Sequence, residues 1–104
     1  GQSSQFTQTL EHQMKLKTLH DLYVAELKDL YSAEHQLLRV LPKMAKAATA
    51  TQLSKAFTVH LTQTKSHIER LERIFKKLDV SPKGRTCKAM QGLLQDVADI
   101  VYAR

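Results

Sequence analysis

The chain has 104 residues and a mass of 11.8 kDa, which suits one domain and leaves no room for a second. Hydrophobic residues at 42% and charged residues at 25% exclude wholesale disorder, and 3 Gly, 2 Pro and no Trp argue for few turns and long helices over many short strands. A net charge of +6 permits attraction to nucleic acid or an anionic surface but specifies neither.

The only cysteine, Cys87, excludes an internal disulfide and any zinc site built from several thiolates. It fits a reducing compartment, so a cytoplasmic location is expected. Residues 1–17 are rich in Gln, Ser and Thr and lack the apolar core of a signal peptide; they read as a flexible arm. No stretch approaches the roughly 18 apolar residues of a membrane span, so no membrane partner is expected.

The first periodic segment covers residues 19–48. Tyr23, Leu27, Leu30, Leu37, Leu41 and Met44 recur at steps of three and four, which is one face of an α-helix. Thr18 and Asp21 offer a capping pair at its start. Pro42 removes an amide donor, which predicts a kink near residues 39–41 or a helix that ends there and restarts. Residues 49–51 form a polar joint, and Thr49 with Gln52 offers a capping box for a second helix. In that helix Leu53, Phe57, Leu61, Ile68, Leu71, Phe75 and Leu78 keep the same period. Ser81, Pro82, Lys83 and Gly84 then supply turn chemistry. Thr86 is placed to cap a third helix, whose periodic residues are Met90, Leu93, Leu94, Val97, Ile100 and Val101. Three amphipathic helices with short joints predict an all-α antiparallel helical bundle.

The residues that interrupt the apolar stripes carry the chemistry. Glu34 sits between Leu30 and Leu37, where a carboxylate needs a proton, a cation or a metal. Thr64 and His67 fall on the inward side of the second helix, and Asp96 lies three residues from Leu93 on the third. Glu34 and His67 are nearly equidistant from a joint at residue 50, which puts them at one level. His67 and Asp96 are nearly equidistant from Pro82, which adds Asp96 to the same layer; His60 belongs to another. Glu, His and Asp facing inward from neighbouring helices make an oxygen-and-imidazole site suited to iron or manganese. An internal polar network, with Glu34 hydrogen-bonded to His67, Tyr31 or Arg70, satisfies the same pattern without metal.

Residues 26–34, Glu-Leu-Lys-Asp-Leu-Tyr-Ser-Ala-Glu, and 41–45, Leu-Pro-Lys-Met-Ala, together resemble the first helix of the bacterial YciE/YciF-type family, a ferritin-like group associated with stress responses. His60-Leu61, Thr64, Arg70-Leu71-Glu72 and Phe75 resemble its second helix, and residues 87–93 the opening of its third. The resemblance runs over residues 19–101. It implies that residues 1–104 form a single ferritin-like helical domain, in a family that is often dimeric and carries a dimetal centre. In that plan Glu34 matches the carboxylate of the first helix, His67 is a ligand of the second, and Asp96 stands where a longer Glu is usual. Thr64 stands three residues before His67, and Thr62 and Gln63 occupy positions where family members tend to carry Glu. Family members also continue beyond this chain, so the fourth helix and its ligands are missing. A degenerate or incomplete di-iron or dimanganese site follows, with at most weak ferroxidase-like activity. Self-association as a homodimer or higher oligomer would supply the missing wall.

Two further functions fit parts of the pattern. One is a non-catalytic helical assembly module that keeps the fold without metal. The other is nucleic-acid association through Arg70, Arg73, Lys76, Lys77, Lys83, Arg85 and Lys88, although Glu69, Glu72 and Asp79 dilute this charge and no recognised motif accompanies it. Cys87 opens the third helix, where packing or capping suits it better than redox chemistry, since no second thiol resolves it.

Overall fold

A computed structural model describes the backbone of residues 2–101 and the side chains of residues 5–101. It consists of α1 (Gln2–Ala47), α2 (Thr51–Leu78) and α3 (Lys88–Val101). No strand occurs among the described residues, and no helix among them is long and apolar enough to cross a membrane. The all-α bundle expected from the periodicity is therefore observed. The last residues of the chain, 102–104, over which helical periodicity was expected to persist, lie outside the described part.

Several boundaries differ from expectation. The 46 residues of α1 form one helix that begins at Gln2, so all but the first residue of the expected arm is helical. Thr18 is not a cap; its hydroxyl donates to the Met14 carbonyl at 2.9 Å within the helix. Pro42 does not end α1, because it sits one turn from the C-terminus and costs only a single donor there. The N-cap of α2 is Ala50, with no side-chain cap hydrogen bond, so the expected Thr49–Gln52 box does not form. The hairpin is tied instead by the Ser54 hydroxyl, which donates to the Ala45 carbonyl at 2.9 Å. At the start of α3 the capping position belongs to Cys87 and not to Thr86, since the Cys87 carbonyl accepts the first helical bond from Gln91 N at 3.0 Å.

The turn that ends α2 is built as a Schellman motif. Asp79 adopts a left-handed conformation with φ of 55°. Its N–H donates to Lys76 O at 3.2 Å, and that of Val80 to Phe75 O at 3.1 Å. Val80 also packs on the core cluster that contains Phe75, the apolar contact that accompanies this motif. Gly84 takes the second left-handed position, φ 109°, as its place in the turn predicts.

The molecule measures 71 × 27 × 22 Å, and its long axis is α1, since a helix of this length extends about 69 Å. The core lies between α1 and α2, where Leu27, Leu71 and Phe75 are buried with Tyr31, Ile74, Leu78 and Val80 against them. Leu41, Ile68 and Thr64 are also buried. Each large apolar side chain removed from water there contributes about 1.5–3 kcal/mol. Leu30, Tyr23 and Leu53, which share the predicted stripes, are half exposed.

The third helix is not where a simple three-helix bundle would put it. It packs on α1 and makes no close backbone approach to α2. Its start is bonded to Ser32 and Gln36, and its last turns share a groove with Met44 and Ala47, so it runs parallel to α1 and antiparallel to α2. The segment 79–87 climbs back along α1 before α3 begins, with Arg85 paired to Asp29 at 3.4 Å on the way.

Candidate functional site

Glu34 projects from the α2-facing side of α1, and His67 meets it from α2. Glu34 Oε2 lies 3.5 Å from His67 Nδ1, with side-chain exposures of 19% and 47%. That separation is beyond ordinary hydrogen-bond length. Glu34 Oε2 is buried and accepts no hydrogen bond. A buried carboxylate oxygen without a donor costs free energy unless a proton, cation or water offsets it. Neither Tyr31 nor Arg70 forms the hydrogen bond that the metal-free network would need. Arg70 instead lines, with Leu30, Leu71 and Ile74, the open groove of about 180 Å³ onto which the pair faces.

Asp96 does not join them. Ser32 and Gln36, which hold the start of α3, lie two residues either side of Glu34, and two residues turn the helix by about 200°. The start of the third helix is thus on the opposite flank of α1 from the Glu34–His67 pair. Asp96 is also nine residues beyond Cys87, about 13 Å up the helix, and it is exposed. Counting from Pro82 fails because the connection is an extended climb and not a tight turn. Among the described residues no group of three or more His, Cys, Asp or Glu is arranged to hold a metal ion. The donor set at Glu34 is one carboxylate and one imidazole, short of what an iron or manganese centre requires. Thr64, on the His67 side of α2, is fully buried, and its hydroxyl has no hydrogen-bond partner. His60 is exposed and apart from the pair, as the register predicts.

Tyr31 lies one turn before Glu34 and is held by two edge-on ring contacts, to His35 at 4.4 Å and Phe75 at 5.8 Å. Burial pushes its hydroxyl above the ordinary value of 10.0, and the Glu72 carboxylate adds to the shift.

Sequence reasoning missed the polar latch on the other flank. Cys87 N–H donates to Ser32 Oγ at 2.8 Å, and Gln36 Nε2 donates to Cys87 O at 3.0 Å and to Ser32 Oγ at 3.2 Å. Ser32 and Gln36, one turn apart, thereby satisfy both backbone groups of the residue that starts α3. The signal in the sequence was the small and polar face of residues 29, 32, 33 and 36, opposite the apolar stripe. Cys87 is buried and free, in keeping with a packing and capping role. Of the basic residues, Arg70, Arg73, Lys76, Lys77, Lys83 and Lys88 are exposed, and Arg85 is paired with Asp29.

Comparison with known proteins gives the family. Protein YciF of Escherichia coli K12 is 37% identical over 89 residues, which cover 85% of this chain and 54% of the relative. The crystal structure described as the E. coli stress protein YciF superposes with a TM-score of 0.76 at 37% identity, over 82% of this chain and 54% of that one. A protein of Rhodopseudomonas palustris described as a putative structural protein, YcfI, gives a TM-score of 0.74 at 42% identity, over 78% and 52% of the two chains. The chain thus spans about half the length of the relatives it matches. The family described as a domain of unknown function (DUF892) matches residues 18–103, so that the helical hairpin, the climbing connection and α3 all fall within it. The chain belongs to the DUF892 family, of YciF type.

Proposed function

We propose that the chain is part of a stress-associated, ferritin-like helical protein, and that Glu34 and His67 form a two-donor, incomplete metal site. The stress association rests on the E. coli relative, which is described as a stress protein. The observation that carries the site is Glu34 Oε2, buried, without a donor and 3.5 Å from His67 Nδ1. Such an oxygen suits a cation, and an imidazole beside it suits iron or manganese. Two donors leave most of a coordination shell to water, so binding is weak and a fast two-iron reaction is absent. Anaerobic Fe(II) titration followed by exposure to oxygen tests this. The expected result is less than one tightly held iron per chain, weak Fe(II) binding that is lost in Glu34→Ala, and no fast oxidation in either. Two tightly held irons per chain, with fast oxidation lost in Glu34→Ala, would overturn it.

A second reading, a structural assembly module without metal chemistry, is favoured by Thr64, whose fully buried hydroxyl provides no carboxylate beside His67. The R. palustris relative, described as a putative structural protein, points the same way. Retention of the melting temperature with and without added Fe(II) or Mn(II), in the parent chain and in Glu34→Ala alike, would support this module over the weak site.

A further inference from the structure

The net charge of +6 is not spread evenly along the chain. The second helix carries six Lys and Arg against two Glu, so four of the six positive charges in excess belong to α2. Among the described residues the ion pairs are Glu34–His67 and Arg85–Asp29, and no Lys or Arg of α2 takes part in either. Over residues 66–77 the apolar side chains are buried or packed on the core, and every exposed residue is polar. Arg70, Arg73 and Lys77 follow one another at steps of three and four, a single ridge on the outer face, with Lys76 on its flank. The acidic residues dilute this ridge less than their number suggests. Glu72 lies about 100° or more around the helix from each of the three, on the side where its charge raises the Tyr31 hydroxyl. Asp79 stands beyond the last turn, and only Glu69 remains beside the ridge.

We propose that this ridge binds the phosphate backbone of a nucleic-acid duplex without reading its sequence. It rises about 10 Å from Arg70 to Lys77, a length over which one strand of a duplex presents about three phosphates. The face offers positive charge and no apolar anchor. A protein interface is built around buried aromatic or apolar side chains, and an interfacial helix inserts them into lipid, but no such side chain is exposed between Ser66 and Lys77. Nor does this face carry an aromatic ring on which unpaired bases could stack, which favours a duplex over a single strand. Contacts to phosphate alone fix position and carry no sequence information.

Titration of a labelled DNA duplex of about 20 base pairs, and of the RNA duplex of the same sequence, with the whole chain is the test, followed by fluorescence anisotropy. Each phosphate neutralised releases counterions, so four contacts give a slope of log affinity on log salt of about −3 to −4, a loss of about a hundredfold between 50 and 200 mM salt. Arg73→Gln with Lys77→Gln should bring the slope about 2 closer to zero and weaken binding at 50 mM salt by about tenfold or more, with helical circular dichroism and melting unchanged. Lys43→Gln with Lys46→Gln removes the same charge from the hairpin end of α1. Lys43 lies nine residues from Glu34 toward the hairpin and Arg73 six residues from His67 away from it, a separation of about 22 Å, so this pair should change the affinity by no more than about twofold. Arg70 borders the Glu34–His67 groove and is left in place, so that the outcome is independent of that site. Binding of either duplex with these properties supports the proposal, and the tighter of the two names the source. Absence of binding at 50 mM salt, an affinity that salt does not change, or an equal loss in both double variants overturns it. Binding to phosphatidylglycerol vesicles or to poly-L-glutamate without binding to duplex also overturns it, and assigns the ridge to an anionic membrane or to an acidic chain.

Discussion

Two halves of one helix can be set side by side. From Leu27 to Leu41, α1 has α2 on one flank and α3 on the other, and Leu27 and Leu41 on the α2 flank are buried, Leu41 to 2% exposure. From Phe6 to Tyr23 the same helix carries comparable apolar residues at helical spacing, and all of them stand in water. Periodicity fixes that a segment is helical and which residues share a face. It does not fix whether a neighbour covers that face, because coverage depends on how far the next helix reaches. Here α2 is 28 residues against the 46 of α1, and the difference in length leaves the N-terminal half bare.

The strongest way to break this contrast is a pair of matched truncations. Phe75→Ala, at a side chain 2% exposed in the α1–α2 core, should destabilise the fold by about 3–5 kcal/mol. Phe6→Ala should stay within about 0.5 kcal/mol when unfolding is followed at submicromolar concentration. Equal losses in chemical denaturation would erase the distinction between the halves.

The flank that faces α3 is held by polar contacts, and its loss should be smaller. Gln36→Ala removes the donor to Cys87 O and Ser32 Oγ and is expected to cost about 1–2 kcal/mol. The corresponding loss should be negligible for Gln13→Ala, in the bare half, by the same denaturation measurement.

Smaller still is the effect at the end of α2. Asp79 holds a left-handed conformation and puts a negative charge at a helix C-terminus, both unfavourable. Asp79→Gly should raise stability by about 0.5–1 kcal/mol, seen as a higher denaturation midpoint. A lower midpoint would mean that the Asp79 side chain contributes something that the turn geometry does not require.

The smallest effect is confined to alkaline solution. The Tyr31 hydroxyl titrates higher in the fold than in the unfolded chain, so the folded state holds its proton longer. Its contribution is intact below about pH 10 and is lost as pH rises from there through the folded value. The alkaline fall in stability should shrink in Tyr31→Phe, whereas Tyr23→Phe, in the exposed half, should leave it unchanged; thermal melts between pH 9 and 11 compare them.

How much of this was legible in the sequence depended on the joint between elements. Glu34 and His67 could be paired by counting because residues 48–50 make a short hairpin joint, which transmits register faithfully. Asp96 could not, since residues 79–87 climb along α1 and shift the start of α3, and no local propensity announces such a path. The Ser32–Gln36–Cys87 latch was missed for another reason: the small and polar face of residues 29, 32, 33 and 36 marks a contact on that flank of α1 but not its partner, more than fifty positions away. The helical start of α1 was missed because Gln, Ser and Thr read as a loop when no buried stripe accompanies them, although the four-residue spacing of Phe6, Leu10 and Met14 marks it.

That α2 and α3 both rest on α1, and share a groove only at the far end where Leu53 and Phe57 come near Val97 and Ile100, bears on how the molecule can change. Substitutions on the two flanks should combine additively, with a coupling energy near zero in a double-mutant cycle between Phe75 and Gln36. Away from that groove each flank can then accumulate sequence change without asking the other to compensate, as long as the shared helix keeps both faces. The third helix can in turn open and reclose as its own exchange unit, at a lower free energy than the hairpin, with the Glu34–His67 pair undisturbed.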